Sequence, residues 1–349
     1  MDNLLISVIV TAKNENAMIE QCIRSIFAQS YHDFEIIFVD ALSTDGTFDT
    51  AKSLQRIRTS FTNCRRYVCI AEEANSPSKG RNIGARFAEG HILAFTDADC
   101  VASKDWLANL AIQLGGKKGL SGGPNKLRHS SNSAVTAAID GVFATYLGSG
   151  GSPQFLAIKQ VSKVHALPAC NMAVLRRVFN ELGGFDEDLK YNEDTDFCHR
   201  AIKKGYKIIY SPMAVIDHFM GLDSCRQTAR FVKKYGLERG RNIRKNPYLF
   251  QKSNILSTMF LFSIGFLLAT ALVNPISKLV LYAVTASLTG IVLSYSAMIA
   301  VRNKSLASFG YSILIFFTIH INYNLGLFSG LMLGESKKNQ FPLKHSAAA

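Results

Sequence analysis

No two of the seven cysteines stand in a C-x-x-C spacing, and an odd number cannot pair completely. The pattern indicates neither a disulfide framework nor a zinc site, and a reducing compartment is the simplest home for it. No basic leader with a cleavage site precedes the strand-like stretch from Leu4 to Val10, so no signal peptide is expected. The chain shows no internal repeat and no recognised nucleic-acid motif, and nucleic acid is not expected as a partner. Acidic residues are in the minority, 26 against 39 Lys and Arg, for a net charge of +13. That balance points to anionic partners such as phosphorylated substrates or an acidic membrane surface. With 48% hydrophobic residues, 349 residues hold one soluble domain and a further apolar part.

The stretch Ile92 to Cys100, Ile-Leu-Ala-Phe-Thr-Asp-Ala-Asp-Cys, reads as a buried strand ending in two carboxylates. Period-two alternation points Asp97 and Asp99 the same way, where both can face one hard cation and the diphosphate it bridges. A solvated turn after a strand is the plain alternative. Upstream, Leu5 to Val10, Phe34 to Val39 and Arg66 to Ile70 are further strand-like runs, with helical spacing over Ala17 to Gln29, over Phe48 to Leu54 and up to Phe87. This alternation predicts an α/β fold of βαβ units in a mostly parallel sheet with flanking helices. Polar residues cluster at successive strand ends. Thr11, Asn14, Glu15 and Asp40 suit a base or ribose, and Lys79, Arg81 and Asn82 at a helix start suit phosphate oxygens, with a solvated loop at Lys79-Gly80-Arg81 as the plain alternative.

Four segments carry a family resemblance: Ser7-Val-Ile-Val-Thr-Ala-Lys-Asn-Glu, Val39-Asp-Ala-Leu-Ser-Thr-Asp-Gly-Thr, Gly80-Arg-Asn-Ile-Gly-Ala and Phe95-Thr-Asp-Ala-Asp. In this order and spacing the chain resembles the inverting family 2 glycosyltransferases of the GT-A, nucleotide-diphospho-sugar transferase fold. The resemblance implies a nucleotide-sugar donor with Mn2+ or Mg2+ as cofactor. It places Asp40 near the base, Asp97 toward the ribose and metal, and Asp99 as metal ligand. The family often has a second acidic residue after the equivalent of Asp40, where this chain has Ala41; Ser43 is the substitute contact nearby.

Pro168-Ala-Cys-Asn-Met-Ala-Val, Gly183-Gly-Phe-Asp-Glu and Tyr191-Asn-Glu-Asp-Thr-Asp-Phe-Cys-His-Arg resemble the family's acceptor-side motifs and bring in Asn171 as an acceptor contact. An inverting transfer needs a carboxylate to take the proton of the attacking hydroxyl. Asp194 is read as that base and Glu193 as the neighbour that orients it or the acceptor. Acidic residues at a helix N-terminus also simply complement the helix dipole. Arg200 either reaches an acceptor phosphate or pairs with Glu193 along the helix. His218 has two readings, a structural histidine or, as in many enzymes of this fold, the residue that completes the metal site. The chain lacks the Gln-x-x-Arg-Trp pattern of processive synthases, its one tryptophan being Trp106.

Arg226 to Lys252 mixes basic and aromatic residues, as a membrane-surface segment does. Ile255 to Val273, Ile276 to Val301 and Phe309 to Leu333 are apolar runs of bilayer length. The predicted organisation is a catalytic domain at 1–222, a basic juxtamembrane segment at 223–253, transmembrane or membrane-associated helices at 254–334 and a polar tail at 335–349. Positive charge before Ile255 and at Arg302 and Lys304 predicts a multi-pass cell-membrane protein with its catalytic domain on the cytoplasmic face. Lys337, Lys338 and Lys344 do not fit three full spans, so the third run is read as re-entrant, interfacial or packed against the first two. Such an anchor suits a lipid-linked acceptor, either a polyprenyl-diphosphate-linked sugar or a bare polyprenyl phosphate. A non-catalytic membrane scaffold is the alternative outside enzymes.

Overall fold

Every side chain from Phe34 to Asp40 is buried, as a strand covered by helices on both faces requires. In the computed structural model, which describes residues 4–189, 191–250 and 266–333, this run is the second strand of a large sheet. In chain order the elements are β1 (Ile6–Ala12), α1 (Asn16–Phe27), β2 (Phe34–Asp40), α2 (Thr47–Ser53), β3 (Cys64–Ala71), α3 (Pro77–Phe87), β4 (Ile92–Asp97), β5 (Cys100–Ala102), α4 (Trp106–Ala111), β6 (Lys118–Gly122) and β7 (Asn125–Leu127). There follow α5 (Ala134–Phe143), α6 (Tyr146–Ser149), β8 (Ser162–Val164), β9 (Met172–Leu175), α7 (Arg176–Glu181), α8 (Glu193–Lys203), β10 (Lys207–Tyr210), β11 (Ile216–His218), α9 (Cys225–Lys245), α10 (Pro275–Asn303) and α11 (Leu306–Met332).

The chain divides into two compact units, the first made of Met1–Arg128 and Ser152–Met220, the second of His129–Gly151 and Gly221–Ala349. In the first, eight strands run in the order β3-β2-β1-β4-β9-β6-β10-β8, and a smaller sheet runs β5-β11-β7. The strands β1 to β4 are parallel, as the alternation of strand and helix predicts. Beyond β4 the mostly parallel sheet takes in antiparallel strands, while β6 and β10 again pair in parallel. β9 lies antiparallel between β4 and β6, and β8 is an antiparallel edge. These strands are not reached through βαβ crossovers, so nothing forces parallel entry.

The strand order turns back at β1, whose neighbours are β2 and β4. Ligands of open α/β sheets collect at the carboxyl ends of strands beside such a reversal. Here the register sets Thr11 opposite Asp97 and Ala12 opposite Asp40. Helix α3 starts on a Ser76 cap, whose hydroxyl accepts from Lys79 N, with Pro77 in its first turn. Gly84 lets α3 lie close on the sheet, since a Cβ there would stand 2.5 Å from Ile9 Cγ2.

In the second unit α5 opens on a reciprocal capping box between Ser133 and Thr136. Residues 129–151 therefore group with the C-terminal part, although no composition shift marks them. The basic helix α9 packs along α11 through glycines on both. A Cβ on Gly236 or Gly240 would collide with the backbone of Tyr323 or Leu327, and one on Gly326 or Gly330 with that of Lys233 or Leu237. The third apolar run is thus packed on the basic segment, and also near α5 through the bond from Ser308 Oγ to Ala134 O at 3.4 Å. Both α10 and α11 are long and apolar enough to cross a bilayer, and the most apolar window of α10 has no buried residue. The first apolar run lies largely outside the described residues, as does the tail at 335–349.

Candidate active site

The loops after β1 and β2 are laced together. Asn14, in the left-handed region at φ 56°, donates its N–H to Ser43 Oγ at 2.8 Å and accepts from Thr44 N on Oδ1 at 2.9 Å. Glu15 N donates to Thr47 Oγ1 at 2.8 Å. Asp40 is 1% exposed. Its Oδ2 accepts from Ser43 N at 2.7 Å, while its buried Oδ1 has no hydrogen-bond partner among the described residues. A lone buried acceptor costs about 1–3 kcal/mol until a donor meets it. Ser43 serves as a loop clamp, with one role to Asn14 and another to Asp40.

At the end of β4, Asp97 Oδ1 accepts from Thr11 Oγ1 at 3.3 Å and from Arg81 Nη2 at 2.7 Å. Arg81 Nη1 donates to Glu193 Oε1, also at 2.7 Å. Arg81 is 3% exposed, so this guanidinium is an internal bridge and is not presented to phosphate oxygens as the sequence suggested. Burial pushes the Glu193 carboxyl up, against the pull of Arg81, to about 7. Asn82 also departs from the phosphate role. It donates from Nδ2 to Phe185 O at 2.8 Å and to Glu187 Oε1 at 2.9 Å, and accepts from Phe185 N at 2.9 Å, which pins the Gly183-Gly-Phe-Asp-Glu turn. Lys79 sits half-buried in the first turn of α3.

Asp99 follows in the turn between β4 and β5. Antiparallel pairing of β5 with β11 sets His218 opposite Cys100, and Phe219 N donates to Asp99 O at 3.0 Å. His218 Nε2 thereby lies 3.3 Å from Asp99 Oδ2. Burial works against charge on this imidazole, but Asp99 and Cys170 outweigh it and hold His218 well above the ordinary histidine range. On its other side Nδ1 faces Cys170 Sγ at 3.7 Å. Glu15 is pushed up to about 8, first by burial and then by the charges of Asp99, Asp97 and Asp45. Such an excess of carboxylates, with Arg81 compensating Asp97, is a donor set of oxygens and one imidazole that fits a hard divalent cation.

On the acceptor side, Asp194 is half-buried at the start of α8, its Oδ1 accepting from Thr195 N at 2.6 Å. Asn192 enters that helix in the left-handed region at φ 62°. Two expected acceptor contacts are corrected. Asn171 is fully buried, takes Trp106 Nε1–H on Oδ1 at 2.8 Å and donates to Pro124 O and Ala214 O, so it joins the two sheets. Arg200 pairs with Asp196, one turn earlier on its helix, at 2.7 Å and donates to Leu182 O and Gly184 O, so its partner is not Glu193. In both residues the polar atoms are engaged by other groups of the protein. Sequence reading missed Cys100 and Cys170 beside His218. Nothing in their separate motifs signals that they converge.

The chain matches the family model Glycosyl transferase family 2 over residues 7–124 and Glycosyl transferase family group 2 over residues 96–325. It belongs to the family 2 glycosyltransferases and is a transferase of the GT-A fold. It is similar to the Dolichyl N-acetyl-alpha-D-glucosaminyl phosphate 3-beta-D-2,3-diacetamido-2,3-dideoxy-beta-D-glucuronosyltransferase of Methanococcus voltae, 26% identical over 95% of this chain and 98% of that one. It is also similar to Glycosyltransferase AglE of Haloferax volcanii, 27% identical over 59% of this chain and 64% of that one. Among solved structures, mannosyltransferase PcManGT of Pyrobaculum calidifontis, in complex with GDP-Man and Mn2+, shares the fold with a TM-score of 0.63. It is 19% identical, with 94% of this chain and 87% of that one covered.

Proposed function

We propose that the protein, anchored in a membrane by its C-terminal apolar helices, transfers a sugar with inversion at the cytoplasmic face. The donor is a nucleotide-diphosphate sugar, the acceptor a polyprenyl-diphosphate-linked saccharide, and the reaction depends on Mn2+ or Mg2+. The observation that carries this reading is the Arg81 bridge. One guanidinium stands 2.7 Å from Asp97 on the donor side and 2.7 Å from Glu193 beside Asp194, which brings the donor-side and acceptor-side carboxylates to one point.

In this reading the unpartnered Oδ1 of Asp40 accepts an N–H of the base, and Asp99, Asp97 and His218 hold the cation. A divalent cation held there supplies positive charge to the departing diphosphate. Asp194 takes the proton from the acceptor hydroxyl as its oxygen bonds to the anomeric carbon and the bond from that carbon to the diphosphate breaks. Glu193, neutralised by burial or by Arg81, leaves Asp194 as the carboxylate facing the acceptor. The name of the M. voltae relative, similar along the full chain, describes transfer onto a lipid that already bears a sugar, which favours a glycolipid over a bare lipid phosphate. The apolar side chains that α10 leaves exposed, among them Ile276, Leu279 and Val301, support the membrane anchor.

The test is a transfer assay with a panel of labelled nucleotide sugars and Mn2+ or Mg2+. Polyprenyl-diphosphate-linked N-acetylhexosamine and bare polyprenyl phosphate are run as parallel acceptors. Label on the glycolipid alone is the expected result, and label on the bare phosphate alone overturns the acceptor assignment.

A further inference from the structure

Cys100, Cys170 and His218 lie far apart in the chain, yet Cys100 Sγ, Cys170 Sγ and a ring nitrogen of His218 all stand within 4.8 Å of one another. Cys100 comes from β5, Cys170 from the turn before β9 and His218 from β11. Both cysteines are buried and both are free thiols. A tetrahedral cation with bonds of about 2.3 Å to sulfur and about 2.0–2.1 Å to nitrogen separates those ligand atoms by about 3.6 Å. Cys170 Sγ and His218 Nδ1 are 3.7 Å apart.

The surroundings match what a thiolate site requires. Asn125 Nδ2 donates to Cys170 Sγ at 3.1 Å, a hydrogen bond that supports negative charge on the sulfur. Asp99 Oδ2 sits 3.3 Å from His218 Nε2, where a carboxylate orients a metal-bound imidazole by accepting a hydrogen bond from its other nitrogen. Two thiolates and one imidazole select a soft or borderline cation, unlike the oxygen-rich set at Asp97 and Asp99.

We propose that Cys100, Cys170 and His218 Nδ1 bind one thiophilic divalent cation of the Zn2+ class, with Asp99 as the carboxylate that orients the ring. Binding forms two metal–sulfur bonds and one metal–nitrogen bond, and the two thiol protons and the proton of His218 Nδ1 leave to solvent. Three protein ligands leave a fourth position open. With Nδ1 on this cation, Nε2 carries the ring proton and has no lone pair for a hard cation at Asp99. The two cations then compete for one imidazole, a consequence that rests on the donor-site role of His218 proposed above, whereas the thiolate site itself does not.

Zn2+-loaded full-length protein in detergent is measured by X-ray absorption at the zinc edge, which needs no variant. Two sulfurs and one imidazole nitrogen are expected, and a shell of nitrogen and oxygen alone overturns the site. Titration with Cd2+ alone, read by the thiolate-to-cadmium charge-transfer band, saturates at one equivalent. Cys170→Ser removes the band and Cys225→Ser retains it; a band of undiminished size in Cys170→Ser also overturns the site. With one equivalent of Zn2+ bound, Mn2+ affinity measured by electron paramagnetic resonance drops at least tenfold. Unchanged Mn2+ affinity with the zinc–sulfur shell intact overturns the sharing of His218.

Discussion

Arg81 and Glu193 form an ion pair across the core of the catalytic unit, Nη1 to Oε1 at 2.7 Å, with side chains 3% and 11% exposed. Removing one member of such a pair leaves an uncompensated charge in a poorly solvated place. Arg81→Met is expected to destabilise the domain by about 3–5 kcal/mol, read as a lower melting temperature. Glu193→Gln keeps a hydrogen-bond acceptor for the guanidinium and is expected to cost clearly less. Equal melting temperatures for Arg81→Met and the parent would show that the bridge contributes nothing.

Asp40 Oδ1 is an acceptor that no group among the described residues meets. Asp40→Asn keeps an oxygen for Ser43 N but turns an NH2 toward the place assigned to the base. Nucleotide affinity by calorimetry should fall by about 1–3 kcal/mol, or about 5- to 150-fold. Binding within twofold of the parent would remove Asp40 from the base contact.

Asp99→Asn and His218→Gln test the hard-cation site directly. Each is expected to weaken Mn2+ binding by at least about tenfold, the lower range for partners of metal sites. The readout is a Mn2+ titration by electron paramagnetic resonance in the presence of nucleoside diphosphate. Asp217→Asn, on the same strand but paired outward with Arg128 at 2.8 Å, should leave that titration unchanged.

Asp194→Asn separates binding from chemistry. Loss of a positioned base typically costs about 10²- to 10⁴-fold in rate, so kcat should fall in that range while nucleotide affinity stays within twofold. Normal turnover would exclude Asp194 as the base.

Glu15 gives a pH test in metal-free protein. Its carboxyl is pushed from 4.5 up to about 8 in the fold, so between those values the native state holds a proton that the unfolded state lacks. The unfolded chain then binds fewer protons, and stability must decline as pH rises through that window, levelling off above about 8. Glu15→Gln removes this term. Its melting-temperature advantage over the parent should grow between pH 5 and pH 8, and a constant difference would contradict the burial-driven shift.

The strands β1 to β4 and the helices between them were legible because a covered strand must be a continuous apolar run and an amphipathic helix must repeat every 3.6 residues. The placing of Asp97 at a strand end followed from the same local rule, and the ordered motifs identified the family. None of this required knowing which strand lies beside which. The sequence also carried the long apolar runs of α10 and α11, since length and composition are enough to describe them.

Tertiary structure alone decided which polar groups meet. Arg81 and Asn82, read as phosphate contacts at a helix start, are met in the fold by Glu193 and the 183–187 turn, a neighbour relation between residues more than a hundred positions apart. Asn171 and Arg200, read as acceptor contacts, likewise meet backbone carbonyls of other segments. The short strands β5, β7 and β11 have too few residues for any periodicity, yet their pairing is what seats His218 beside Asp99 and the two thiols. Local sequence records the propensity and apolar face of each segment, whereas the partner of a buried charge is chosen by packing across the chain, where any unmatched group is costly.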